Sequence, residues 1–349
     1  MIGLIHGTYW GNGTDGAGEY PGLPSSGMMS VGSDNHSSKQ SRPSAKSLSK
    51  LLRRVRKVSA RQVTDRLPVI SRQLQRVRYR NWVRDNAEEG QAAGSGLARP
   101  DFLIIGAPKC GTSWLMGGLG QHPNVIMLPE EIEYFSLHLD YPFAWYAEHF
   151  ARQRDALKAE KRTPYLLGEK SARYCAMPIE NIEHVREALP DVKLILMTRD
   201  PVSRHWAHAK KFFAKRKLFN SDQAVLTMKR RKLFTFLETM RPLGAFSNII
   251  ANWTSVFPKE RLLVLSQEKA LTSPQDILDA VREHLGLATN FDPGSLAFMT
   301  RRRNRGPNVP MPDDIAEFLE EMFAGERQWL RDFYGDRLFV RSPDRGLSA

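Results

Sequence analysis

Apolar positions are spaced in three different ways along the chain. Over residues 1–46 they follow no period, and the stretch is rich in Gly, Ser, Pro and Asn. Such a composition cannot bury enough apolar surface to repay the entropy of ordering, and it predicts disorder. From Ser47 the pattern changes: Leu48, Leu51, Leu52, Val55 and Val58 recur at helical spacing, with Arg53, Arg54, Arg56 and Lys57 between them. Pro68 interrupts, a second helical stretch runs through Leu74 and Val77 to Trp82, and Gln91 to Gly96 reads as a linker. Beyond Pro100 short apolar runs alternate with helical periods. Phe102 to Ile105 ends in Gly106, and a helix starts near Ser113 and runs to Gly120. Val192 to Met197 ends at Thr198-Arg199-Asp200, and Arg261 to Leu265 follows a helical stretch around Ile249 to Phe257. Fully apolar runs are the mark of strands buried on both faces, and their alternation with helices predicts an α/β fold built on a doubly wound parallel sheet flanked by helices. The expected division is a disordered segment 1–46, a basic helical arm and linker 47–99, and a catalytic domain 100–340. In such sheets ligands bind beyond the carboxyl ends of the strands, so the residues that follow the apolar runs are the candidates for chemistry.

Charge sharpens this picture. The chain carries a net +13, and residues 42–84 alone hold 14 Lys and Arg against one acid, Asp65. The basicity therefore belongs to the arm, while the remainder sums to zero. A basic amphipathic helix lying on anionic membrane, a helix packed on the catalytic domain, and a solvated arm all fit this composition. The two cysteines, Cys110 and Cys175, build neither a disulfide framework nor a metal site and suggest a reducing compartment. No apolar run reaches the ~20 residues of a transmembrane helix, and the first residues lack the basic start and apolar stretch of a secretory signal. The expectation is a cytoplasmic protein, peripheral at a membrane if the arm engages lipid.

Gly106-Ala107-Pro108-Lys109-Cys110-Gly111-Thr112-Ser113-Trp114 joins a strand to a helix. Glycines there allow a tight turn whose amides face a phosphate, and the helix N-terminus adds its dipole. Gly106, Gly111 and Ser113 match the spacing of the nucleotide-triphosphatase loop GxxxxGK[ST], but Thr112 stands in place of its lysine, and the lysine present is Lys109. Such a loop suits a single 5′-phosphate and needs no metal. Arg199, after the second run, can fork onto another phosphate.

These residues carry a resemblance. Pro108 to Trp114 is similar to the 5′-phosphosulfate loop of the sulfotransferases that use 3′-phosphoadenosine 5′-phosphosulfate (PAPS). Arg199-Asp200-Pro201-Val202-Ser203-Arg204-His205-Trp206 resembles that family's 3′-phosphate motif, RDPxxRxW. The family usually has a Ser eight residues after the first Arg, and here Ala207 stands there; Ser203 or a backbone N–H is the substitute to consider. Arg301-Arg302-Arg303 and Arg305 with Gly306 resemble a basic loop that closes over the nucleotide, although a solvated charge run reads the same way. The resemblance spans roughly residues 100–340. It implies donor contacts from Lys109, Cys110, Gly111, Thr112, Ser113, Trp114, Arg199, Ser203, Arg302 and Arg305, with PAPS as co-substrate and no metal.

Sulfuryl transfer asks for a deprotonated nucleophile, in-line attack and a cation at the bridging oxygen. Glu130-Glu131-Ile132-Glu133-Tyr134-Phe135 resembles the KExxFF segment of the heparan-type glycan sulfotransferases and many bacterial relatives, which places Glu131 on the base. Glu130 departs from the segment's Lys, and Glu130 and Glu133 remain rivals. Gly168-Glu169-Lys170-Ser171-Ala172-Arg173-Tyr174 resembles the EKSxxY segment and offers Lys170 as a second cation beside Lys109, with Glu169 to orient it. The aryl sulfotransferases use a His base instead, for which His122 and His138 are the nearby candidates. Trp145, Tyr146 and Phe150 suit either sugar stacking or the core. The expected activity is sulfuryl transfer to a hydroxyl or amine of a glycan or glycolipid. The rivals are a P-loop kinase or NTPase and a membrane- or nucleic-acid-binding protein acting through the arm.

Overall fold

The computed structural model describes residues 97–335 except 160–164, 216–218, 221–224, 227–229, 292 and 301–308, together with 337, 339 and 340. The arm expected over 47–84, and with it Arg302 and Arg305, lies outside the described residues.

Five strands form the parallel sheet: β1 (Phe102–Gly106), β2 (Val125–Met127), β3 (Leu166–Lys170), β4 (Lys193–Thr198) and β7 (Leu262–Ser266), in the spatial order β2-β3-β1-β4-β7. The short ribbon β5 (Phe219–Asn220) and β6 (Val225–Leu226) stands apart, and β8 (Phe339–Val340) adds an antiparallel edge to β7. The helices are α1 (Thr112–Leu119), α2 (Tyr134–Leu137), α3 (Phe143–Ala159), α4 (Ile179–Ala188), α5 (Pro201–Lys215), α6 (Arg230–Thr239), α7 (Phe246–Val256), α8 (Gln267–Thr272), α9 (Pro274–Leu285), α10 (Pro293–Thr300) and α11 (Asp313–Tyr334). The expected doubly wound parallel sheet is present. The antiparallel edge strand was not expected, because a two-residue element carries no readable period.

Burial explains the uniform apolar runs. Phe102, Leu103, Ile104, Ile105, Leu194, Ile195, Leu196, Met197, Leu263, Val264 and Leu265 have no exposure, since helices cover the sheet on both sides of these central strands. Pairing places Ile104 opposite both Lys170 and Ile195, and Thr198 opposite Ser266. The carboxyl ends of β3, β1, β4 and β7 therefore lie side by side, and the loops that leave them share one edge of the sheet. A topological reversal falls at β1, from which the chain goes to β2 and β3 on one side and returns to β4 on the other. That is the position at which ligands bind in open α/β sheets.

Candidate active site

The loop from β1 to α1 turns tightly for reasons visible in its residues. A Cβ on Gly106 would lie 2.6 Å from the Cβ of Cys175 and 2.7 Å from the carbonyl oxygen of Ala172, so only glycine lets β1 end there. Gly111 caps α1 in the left-handed region, with φ of 92°, as glycine does without penalty. Lys109 takes a positive φ of 73° as well, an unusual conformation for a residue with a side chain. The amides of Thr112 and Ser113 open the helix, where the first-turn N–H groups have no intrahelical acceptor. Arg199, leaving β4, donates from Nη1 to the Lys109 carbonyl at 3.2 Å and so ties the two predicted phosphate motifs together. Trp114 Nε1 donates to the Met299 carbonyl at 2.7 Å, and Trp206 Nε1 to the Val309 carbonyl at 3.1 Å.

A charged cluster sits beside this loop. Lys170, the last residue of β3, is ion-paired with Glu131 Oε1 and reaches Ser113 Oγ at 3.4 Å. The other oxygen of Glu131 accepts from the Ala172 amide at 3.3 Å. Three predicted residues, Ser113, Glu131 and Lys170, thus converge from segments far apart in sequence. Glu130 is exposed on the preceding turn. Glu133 stays close by: it adopts a left-handed φ of 54°, its amide donates to Ser171 Oγ at 3.0 Å, and its carboxylate pairs with Arg173 Nη1 at 2.7 Å. Burial pushes its carboxyl up to about 7, opposed by Arg173 and Lys170 and reinforced by the negative charges of Glu131 and Glu169.

The expectation that Glu169 orients Lys170 is corrected. Neighbouring residues of a strand point to opposite faces. Glu169 accordingly turns into the core, where it has no exposure and accepts hydrogen bonds from Tyr146 Oη at 2.5 Å, Ser171 Oγ at 2.5 Å and Tyr174 Oη at 2.9 Å. Burial raises its pKa, and those three hydroxyls hold it back. Glu131 is the residue that holds Lys170. Ser171 in turn links the Glu169 core network to the backbone of Glu133, a bridge that strand alternation in the sequence does not reveal.

The His candidates stand elsewhere. His122 is buried edge-on against Phe291 and its Nε2 faces the Thr289 carbonyl at 3.1 Å, a structural position. His138 packs on Tyr141 and Trp145, with its pKa lowered chiefly by burial. Tyr146 and Phe150 are wholly buried and belong to the core, while Trp145 is half-buried. On α5, Ser203 and Ala207 lie one turn apart and both are half-buried. Among the described residues, no group of three or more His, Cys, Asp or Glu side chains is placed to hold a metal ion.

Comparison with known proteins finds sulfotransferases. A family model described as "Sulfotransferase family" matches residues 168–293, a span that contains Lys170 and Arg199 but not the 106–114 loop or Glu131. Human heparan sulfate glucosamine 3-O-sulfotransferase 3B1 is 30% identical over 200 residues, covering 56% of this chain and 48% of the relative. The membrane-associated sulfotransferase kil1 of Dictyostelium discoideum is 36% identical over 112 residues, 32% of this chain and 22% of the relative. The chain spans about half the length, or less, of these curated relatives. Among solved structures, a sulfotransferase from Alicyclobacillus acidocaldarius superposes with a TM-score of 0.50 at 23% identity, over 68% of this chain and 96% of that one, which shows the fold.

Proposed function

We propose that this sulfotransferase-family chain moves a sulfuryl group from PAPS to a hydroxyl or amine of a glycan or glycolipid, without a metal. The observation that carries the reading is the convergence of Glu131, Lys170 and Ser113 beside a phosphate loop that lacks the triphosphatase lysine. The two curated relatives named above are both sulfotransferases, and the first acts on heparan sulfate, which favours a glycan acceptor.

Each step falls to a residue in hand. The amides that open α1, with Lys109, hold the 5′-phosphosulfate, and Arg199 takes the 3′-phosphate. Glu131, more than a third exposed, meets the acceptor and takes its proton. The acceptor oxygen or nitrogen then bonds to sulfur while the bond from sulfur to the bridging oxygen breaks. Lys170, almost sealed from water, stabilises the charge that collects on that oxygen, with the Ser113 hydroxyl alongside. The products are the sulfated acceptor, a proton on Glu131, and adenosine 3′,5′-bisphosphate. In the resting chain the Lys170 ammonium neutralises Glu131, so the acceptor's approach must loosen that pair.

Radiolabelled PAPS offered to a panel of glycan and glycolipid acceptors tests the reading. Transfer of label to one of them is the expected result. Absence of transfer to any, together with ATP-dependent labelling, would favour a kinase.

A further inference from the structure

The end of β3 lies along the segment that carries Glu131, and each residue from Lys170 to Tyr174 makes a contact with it. Lys170 pairs with Glu131, and the Ala172 amide donates to the second Glu131 oxygen at 3.3 Å. Arg173 Nη1 pairs with the Glu133 carboxylate at 2.7 Å. Ser171 Oγ accepts from the Glu133 amide at 3.0 Å, and Tyr174 Oη from the Phe135 amide at 3.4 Å. The last two contacts grip the main chain itself, and both come from residues with no exposure.

Those two hydroxyls share a second partner. Ser171 Oγ donates to Glu169 Oε1 at 2.5 Å and Tyr174 Oη to the same oxygen at 2.9 Å, while Tyr146 Oη donates to the other oxygen at 2.5 Å. A hydroxyl has one proton to give and lone pairs to offer, whereas a carboxylate only accepts. Glu169 therefore draws both protons inward and turns the free lone pairs of Ser171 and Tyr174 toward the amides of Glu133 and Phe135. The tyrosines keep their protons, because burial and the charge of Glu169 push both phenols up. Glu133 needs such a hold: its φ of 54° is one that a residue with a side chain keeps only where its surroundings fix it. A buried polar network bonded at every member rigidifies what it touches.

We propose that Glu169 is a positioning residue for the base: through the Ser171 and Tyr174 hydroxyls it fixes the main chain of residues 133–135, and with it the place of Glu131 against Lys170 and the acceptor. This rests on the PAPS reading with Glu131 as base, and it gives Glu169 a task other than the one its neighbour Lys170 suggested. Glu169 is sealed in the core and meets neither donor nor acceptor. It acts through the hydroxyls alone. A base set ~1 Å out of line can lose ~10²-fold in rate although every reacting group is present.

The test compares the full chain with its Glu169→Met, Ser171→Ala, Tyr174→Phe and Tyr146→Phe variants. It reads amide hydrogen exchange over residues 131–137, affinity for adenosine 3′,5′-bisphosphate, and kcat for label transfer from PAPS to the acceptor labelled most strongly in the panel above. Tyr146→Phe and Tyr174→Phe strip the same kind of hydroxyl from the same buried carboxylate, but only Tyr174 also holds an amide of the base segment. Glu169→Met, Ser171→Ala and Tyr174→Phe should speed exchange over 131–137 and lower kcat by ~10-fold or more, with bisphosphate affinity unchanged. Tyr146→Phe should do much less. Equal losses in Tyr146→Phe and Tyr174→Phe would assign the network to packing and overturn the inference. Parent-like exchange or parent-like kcat in both Ser171→Ala and Tyr174→Phe would overturn it as well. Should Glu169→Met fail to fold, the three hydroxyl variants decide. A parent that binds no bisphosphate and labels no acceptor removes the PAPS reading itself, and exchange still shows whether Glu169 fixes the segment.

Discussion

Lys170 and Glu131 form an ion pair in which the cation is nearly buried, at 7% side-chain exposure, and the carboxylate is open, at 37%. The asymmetry suits the tasks proposed for them: the open partner can meet an acceptor, and the closed one can act on a group held by the phosphate loop. Glu131→Gln should lower kcat by ~10²-fold or more, the range for losing a general base, and leave binding of adenosine 3′,5′-bisphosphate nearly intact. Glu130→Gln should cost much less. If Glu133→Gln is instead the inactive variant, the base lies two residues further on. Steady-state rates and nucleotide titrations on the three variants decide it.

Glu133 makes stability depend on pH in an unusual sense. Its carboxyl titrates near 7 in the folded chain, above the ordinary value of 4.5. Between those values the folded state binds more protons than the unfolded one, so stability falls as pH rises through the window. The contribution is full below about 4.5 and lost above about 7. Urea melts of the parent between pH 5 and pH 8 should show this decline, and Glu133→Gln should flatten it. Equal slopes in the two proteins would dismiss Glu133 as the source.

Nucleotide preference follows from Thr112 standing where a triphosphatase has its lysine. Adenosine 3′,5′-bisphosphate should raise the melting temperature, and ATP with Mg²⁺ should do so much less at the same concentration. Equal shifts would contradict the donor assignment.

The arm yields a separate expectation, on which the family likeness is silent. Residues 42–84 carry +13 with an apolar stripe between the charges, and each basic residue near an anionic surface contributes ~1 kcal/mol of attraction. We expect the full chain to sediment with anionic vesicles at low salt and to release at high salt, as screening shortens the reach of exposed charges. A chain beginning at Pro100 should stay in the supernatant. Equal behaviour of the two would end the membrane reading.

How much of this could be read in the sequence depends on distance along the chain. Phe102 to Gly106, Lys109 to Trp114 and Arg199 were legible because each lies within one local strand-to-loop motif. Glu131 came from a motif match, and only the fold shows it meeting Lys170, 39 residues away. Glu169 was misread because its neighbour Lys170 faces the site, and a strand's alternation sends Glu169 inward to Tyr146 and Tyr174. The parts played by the Ser171 and Tyr174 hydroxyls escaped notice because a hydroxyl is defined by what it meets across the fold, and no spacing rule supplies that.

The strand order has a consequence for the making of the molecule. β1 is the innermost of the five parallel strands and wholly apolar, yet the chain emerges with neither of its neighbours: β3 begins at Leu166 and β4 at Lys193. At ordinary rates of synthesis the ribosome takes on the order of ten seconds to pass from the end of β1 to the end of β4. Until Lys170 has been made, Phe102, Leu103, Ile104 and Ile105 have no strand to pair with on either edge, and until Thr198 has been made one edge stays open. The nascent chain should therefore be most in need of chaperone protection midway through translation, before Thr198 has left the exit tunnel.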